Sequence, residues 1–250
     1  MKPKVAFFSF TSCEGCQLMF LNLEDEILDL LKVVDIVKFR EAMKEELADE
    51  YDISFVEGSI TTHDDIERVK SIRERTGILV AFGACATIGG INAIKNHQPL
   101  EEVRKYVYGD KWEEIDTVPT MAVGDVVDVD YSIHGCPVSK QELLEVITSL
   151  AVGREPFIPD YPVCVECKLA ENECVYDKGM VCLGPVTRAG CGAVCPSYGN
   201  KCIGCRGLIS DPNVDAEKDL LAERGLTVDD VLREFRMFDG LSQVSSEVKE

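Results

Sequence analysis

No run of about 18 apolar residues occurs in the chain, so no helix that spans a bilayer is expected. The opening residues, MKPKVAFFSF, hold neither an apolar signal core closed by small residues nor a twin-arginine pair, and the expected location is cytoplasmic. Positive charge is scarce. Against 45 Asp and Glu stand 26 Lys and Arg, a formal net charge of −19. A surface of that sign is repelled by nucleic acid and by anionic lipid, which leaves protein partners as the expected ones. Histidine is scarce too: His63, His97 and His134 are the only three, and none has a partner at ligand spacing. The single tryptophan, Trp112, reads as an anchor for the charged, irregular stretch 100–120. Internal repeats and low-complexity segments are absent. With 46% apolar and 28% charged residues the chain is globular, and 250 residues suffice for one large domain and a small one.

What the chain does have is cysteine. Eight of its twelve cysteines fall between Cys164 and Cys205: Cys164, Cys167, Cys174, Cys182, Cys191, Cys195, Cys202 and Cys205. That segment has few large aliphatic residues and many Gly, Pro and Asn, so a hydrophobic core cannot offset the entropy lost on ordering it. Cross-linking must hold it. Disulfides compete with metal here, but the rest of the chain reads as an ordinary cytosolic α/β domain, and dense cysteine in a reducing compartment points to metal. A four-thiolate zinc site wants two C-x2-C pairs roughly 15–20 residues apart. Cys164/Cys167 and Cys202/Cys205 are such pairs, but 34 residues and four further cysteines lie between them. The intervals 2, 6 and 7, then 3, 6 and 2, divide the eight into two sets of four. Each set suits a 4Fe–4S cube, which is wide and takes one thiolate per iron. Two zinc ions remain the alternative.

The N-terminal part alternates strand and helix patterns. Apolar runs at Val5–Phe10, Val33–Phe39, Ile53–Val56, Ile78–Phe82 and Tyr131–His134 read as strands. Helical spacing of Leu23, Ile27, Leu30, Leu31 and Val34 predicts one helix after the first strand, and others are predicted from Thr62 to Arg75 and from Ser139 to about Leu150. Such alternation gives a three-layer α/β domain with a parallel sheet, whose ligands gather beyond the carboxyl ends of the strands. The remaining cysteines obey that rule. Cys13 and Cys16 follow the first strand, Cys85 the ILVAF strand and Cys136 the last. Gly15, Gly83 and Gly135 stand beside them, where backbone can approach a bulky inorganic core and donate N–H groups to it. A free buried cysteine at Cys85 or Cys136 is the plainer alternative. Beyond Asp211, Leu220, Leu221, Val231, Leu232 and Phe235 among many charges predict one or two amphipathic helices, with start signals at Asp215 and Thr227.

The motifs TSCEGC (11–16), VEGS (56–59), GACATIGG (83–90), HGCP (134–137), PVCVEC (162–167), CLGP (182–185) and CIGCRG (202–207) together resemble the small, electron-transferring subunit of nickel–iron hydrogenases. The likeness is strongest to the cytoplasmic bidirectional group that includes the archaeal sulfhydrogenases. It covers about residues 4 to 210. It implies a flavodoxin-like domain over 1–158 with a proximal 4Fe–4S cluster on Cys13, Cys16, Cys85 and Cys136. A small, irregular iron–sulfur domain with terminal helices would follow over 159–250. There a medial cluster would take Cys191, Cys195, Cys202 and Cys205, and a distal cluster Cys164, Cys167, Cys174 and Cys182. Many periplasmic relatives have proline where this chain has Cys195 and histidine where it has Cys164, so the resemblance implies three 4Fe–4S clusters here. The nickel–iron site belongs to the large subunit, whose paired cysteine motifs this chain lacks, and no residue here is expected to be catalytic. The implied partners are that large subunit and a flavin- and iron–sulfur-bearing, diaphorase-type subunit.

The resemblance also places an acid near the proximal cluster at the position of Glu57, as a local hydrogen-bond partner or a proton carrier; a strand-end carboxylate capping loop N–H groups is the simpler reading. Arg206 is expected to neutralise a cluster or pair with a carboxylate, and His134 to be packed or solvent-facing. Two rival functions stay open. A quinone-reductase or complex-I-like iron–sulfur subunit shares the cluster domain but usually carries adjacent cysteines in place of Cys13-Glu14-Gly15-Cys16 and lacks the eight-cysteine region. A zinc-binding interaction protein is the other.

Overall fold

The computed structural model describes residues 2–238. Five strands, β1 (Lys4–Ser9), β2 (Asp35–Phe39), β3 (Tyr51–Glu57), β4 (Thr76–Phe82) and β5 (Tyr131–Ile133), form one all-parallel sheet in the order β2-β1-β3-β4-β5. Side chains alternate between faces along a strand, and both faces of this sheet are apolar. Val5, Phe7, Ile53, Phe55, Val80 and Phe82 enter one core. Ala6, Phe8, Val56, Leu79 and Ala81 enter the other. This is the near-continuous apolar pattern of a sheet covered on both sides. Phe7 sits at the centre of the first layer, its ring 4.8 Å from Phe20, 4.6 Å from Phe39 and 5.1 Å from Phe55.

The helices are α1 (Gly15–Leu21), α2 (Asp25–Leu30), α3 (His63–Glu74), α4 (Ala84–Ile88), α5 (Leu100–Tyr108), α6 (Lys140–Ala151), α7 (Val163–Leu169), α8 (Val194–Ser197), α9 (Val214–Glu223) and α10 (Val228–Arg236). Two differ from expectation. The single helix predicted after β1 is broken into α1 and α2 at Asn22–Glu24, where Glu24 takes φ +54°. Leu23 is buried in the break, and the freed Asn22 carbonyl accepts from Lys140 at the start of α6. The stretch 100–120, expected to be irregular, contains α5 and a 3-10 turn over Gly109–Glu114. Trp112 does anchor it: Arg104 and Lys105 of α5 lie 5.2 and 4.8 Å from its ring, and Arg104 donates to its carbonyl at 2.7 Å.

After residue 158 no strand of the sheet recurs among the described residues. Val163, Val175 and Tyr176 pack there against Cys182 and Cys202, so the thiols themselves are part of the interior. The tail forms two helices; Thr227 caps the second as expected, but the first is capped by Asn213, whose side chain accepts from Ala216 N, and the expected start Asp215 lies in its first turn. Val214, Leu221 and Phe235 bury against Leu183 and Val186. The last residues of the expected tail, 239–250, lie outside those described. Among the described residues no helix is long and apolar enough to cross a membrane.

Candidate functional site

Parallel strands end on one edge, and the loops leaving that edge carry the first four thiols. After β1 the chain turns through Cys13 and Glu14, the latter at φ +60°, with its carboxylate held by Ser9 Oγ at 2.8 Å. The first turn of α1 exposes N–H groups with no helical partner. Glu57, at the end of β3 and 2% exposed, accepts from three donors: Cys16 N at 3.0 Å, Gln17 N at 3.2 Å and Gln17 Nε2 at 2.9 Å. Burial raises its carboxyl above the ordinary range, and those donors oppose the rise. Glu57 thus holds the Cys16 turn against the sheet.

Two more loops close on the same edge. Gly83 N donates to Ile133 O and Ala84 N to Gly135 O, both at 2.8 Å, binding the Cys85 loop to the Cys136 loop. Gly83, at φ +90°, presents its α-carbon so closely that an added Cβ would stand 2.4 Å from Cys16 Sγ. A Cβ on Gly15 would lie 3.2 Å from Cys13 Sγ. Asn92 places Nδ2 3.8 Å from Cys85 Sγ while donating to Thr11 O at 2.9 Å and Ser59 Oγ at 3.0 Å. Burial raises Cys16, takes Cys85 up to about 12 and raises Cys136. After burial, the charges acting on Cys85 are those of Cys136 and Cys13, then Glu57. Cys136 feels Cys13 in turn, and Cys16 feels Glu57 and then Cys85. The four thiols share one electrostatic neighbourhood.

Seven of the other eight sort by the same criterion. Burial takes Cys164 up to about 11, and the charges that add to it are Cys182, Cys167 and Cys174. It takes Cys205 to about 11 as well, with Cys191 and Cys195 adding. Cys202 lies between the sets. It is raised to about 12, mainly by burial, with both Cys182 and Cys205 contributing, and its backbone N–H donates to Cys182 Sγ at 3.2 Å. A cavity of about 370 Å³ is lined by Cys191, Cys195, Cys202 and Cys205, together with Cys136 and apolar side chains such as Met19, Val138 and Val163.

None of the twelve cysteines is in a disulfide. Among the described residues no three His, Cys, Asp or Glu side chains close on a point tightly enough for one metal ion. All-thiol donor sets are soft, the choice of iron–sulfur clusters and zinc rather than of hard ions. Cysteine sets gathered around glycine cradles and an apolar cavity fit the wider body of an iron–sulfide cube.

Three carboxylates around these thiols had no signal of their own in the sequence. Glu166, between Cys164 and Cys167, folds back to accept from Gly190 N at 2.8 Å and Ala193 N at 3.2 Å, and so holds the loop that carries Cys191. Glu142 on α6 meets Arg206, which is 1% exposed, in a two-pronged pair: Nη2 reaches Oε1 at 2.8 Å and Oε2 at 2.7 Å. Arg206 therefore pairs with a carboxylate. It also donates Nε to Ala189 O at 2.7 Å and Nη1 to His134 O at 2.5 Å. Burial raises the Glu142 carboxyl and the guanidinium opposes it. Glu217, on the tail, is 2% exposed and sits beside Tyr176. Glu142 adjoins the apolar stripe Leu143, Val146, Ile147 and Leu150 on α6, and that position alone does not reveal its partner. His134 is packed, with burial and the charges of Arg188 and Arg206 pushing its imidazole down to about 3. Its Nδ1 has no hydrogen-bond partner among the described residues.

The model of the family described as NADH ubiquinone oxidoreductase, 20 Kd subunit, matches residues 13–150. Sulfhydrogenase 2 subunit delta of Pyrococcus furiosus is 40% identical over 236 residues, covering 94% of this chain and 98% of that protein. A subunit of the F420-non-reducing hydrogenase of Methanocaldococcus jannaschii is 34% identical over 85% of this chain and 84% of its own length. Among solved structures, a chain of an NAD+-reducing [NiFe]-hydrogenase superposes with a TM-score of 0.58 at 27% identity, over 64% of this chain and 96% of that one. A chain of the Ni-Fe-Se hydrogenase of Desulfomicrobium baculatum shares the fold, with a TM-score of 0.59 at 17% identity over 88% and 98%.

Proposed function

Since this chain belongs to the NADH ubiquinone oxidoreductase 20 kDa subunit family, among its hydrogenase small subunits, we propose that it is the electron-transfer subunit of a cytoplasmic [NiFe]-hydrogenase. Its partners in this reading are a large subunit with the nickel–iron site and a subunit bearing flavin or iron–sulfur groups. Cys13, Cys16, Cys85 and Cys136 hold a proximal 4Fe–4S cluster in a domain over 1–158. Cys191, Cys195, Cys202 and Cys205 hold a medial one, and Cys164, Cys167, Cys174 and Cys182 a distal one, in a domain over 159–250. When bound, such clusters supply one-electron carriers between the hydrogen-activating centre and the acceptor.

The chain's own residues do the holding. Glu57 fixes the turn that presents Cys16, Gly83 and Gly135 let backbone close around the proximal set, and Glu166 and Arg206 fix the Cys191 loop. The thiols bind metal as thiolates, so loading the clusters releases their protons, and no side chain here is needed for hydrogen chemistry. The observation that carries the reading is the meeting of Cys13, Cys16, Cys85 and Cys136 from three separate loops on one sheet edge. Iron and acid-labile sulfide analysis of the purified native complex tests it. About twelve irons per chain of this subunit are expected, whereas zinc without sulfide would reject it.

A further inference from the structure

No cysteine motif lies in the tail, yet its polar side chains reach the cysteine-rich segment at three places. Glu217 of α9 meets Tyr176, which lies between Cys174 and Cys182. The Tyr176 hydroxyl donates to the Cys182 carbonyl at 2.6 Å and stands 2.9 Å from Glu217 Oε1. A phenol has one proton and a carbonyl only accepts. The Cys182 carbonyl takes the phenol's proton, so the Glu217 carboxyl supplies the proton of the second bond. Burial raises that carboxyl to about 7, consistent with its holding one. Arg224 donates to Tyr176 O at 2.8 Å, and its guanidinium lies 5.4 Å from the Tyr176 ring. Lys201, next to Cys202, pairs with Glu234 of α10 at 2.6 Å. A tail that served only to cover apolar surface would need Val214, Leu221 and Phe235 and none of these contacts. Each of them lands within two residues of a cysteine.

We propose that Tyr176 and Glu217 are positioning residues for the set Cys164, Cys167, Cys174 and Cys182. By holding the Cys182 carbonyl they fix the Cys182 sulfur against the N–H of Cys202, and so set the reduction potential of the cluster on that set. Hydrogen bonds to ligand sulfur and exclusion of solvent are the means by which a protein tunes such a potential. An N–H aimed at sulfur favours the reduced, more negative state, so loosening this contact lowers the potential. The inference rests on the function proposed above.

The test is a potentiometric titration of the assembled hydrogenase complex, followed by electron paramagnetic resonance. Tyr176→Phe and Glu217→Leu should each lower the midpoint potential of one cluster and leave the other two in place. Glu217→Gln, whose amide can still donate to the phenol oxygen, should restore it. Loss of about four irons per chain in either disruptive variant, with two clusters kept, also supports the pair. Three unmoved potentials, or a uniform shift of all three, would overturn it. Iron and sulfide content of the unaltered complex separates this failure from failure of the functional reading, since fewer than three clusters there sinks the reading itself.

Discussion

At the scale of single residues, the proximal edge leaves no room for one methyl group. Gly83 combines φ +90° with a virtual Cβ 2.4 Å from Cys16 Sγ. Gly83→Ala must therefore strain the backbone and displace a sulfur at once. The expected result is a subunit short of about four irons, with the eight C-terminal cysteines still loaded; metal and sulfide analysis beside that of the unaltered protein checks it. Cys13, Cys16, Cys85, Cys136 and this glycine stood out in the sequence, because cysteines just past strand ends with glycine close by announce themselves. The carboxylates that brace the cysteine loops did not. Glu166 serves N–H groups at Gly190 and Ala193, and Glu142 serves Arg206 from 64 residues away. Such roles depend on which segment folds back on which, and a lone Glu among many in an acidic chain carries no mark of it.

At the scale of elements, the strands and α3 followed from local pattern. Apolar runs bounded by turn residues gave all five strands, and Thr62 with Asp65 forms the reciprocal cap that opens α3. The break between α1 and α2 was not legible, since Leu23, Ile27 and Leu30 keep helical spacing straight through it. Its cause is tertiary, in the burial of Leu23 and the capture of the Asn22 carbonyl by Lys140. Between α6 and the CIGCRG loop the join is a fully buried ion pair. Removing one partner strands a charge, so Arg206→Met should cost about 3–5 kcal/mol. Arg206→Met with Glu142→Met should cost less than the two single changes summed, because neither charge is then left alone. Urea unfolding of the four proteins of that cycle measures the coupling, and strict additivity would count against a cooperative join.

At the scale of the whole molecule, the acidic surface and the buried acids behave differently with pH. Glu217 has a folded-state pKa raised from 4.5 to about 7 by burial. The folded chain therefore holds a proton in that window which the unfolded chain has released. Its contribution to stability is complete below the unfolded value and is lost as pH rises through about 7. The loss is on the order of 3 kcal/mol, at 1.36 kcal/mol per pH unit. Hydrogen-exchange protection of α9 amides, corrected for intrinsic rates, should fall between pH 5 and 8 in the cluster-loaded protein and stay level in Glu217→Gln.

The proximal thiols come from Cys13, Cys16, Cys85 and Cys136, on loops that follow β1, β4 and β5, whereas the set from Cys164 to Cys182 belongs to one continuous segment. Distant contacts wait on the closure of long loops. On the function proposed above, a ribosome must release residues well past Cys136 and the sheet must zip before the first cage has four walls. Any factor that delivers iron and sulfide to it works on a finished scaffold, and a chain stalled before β5 offers three thiols and an open side.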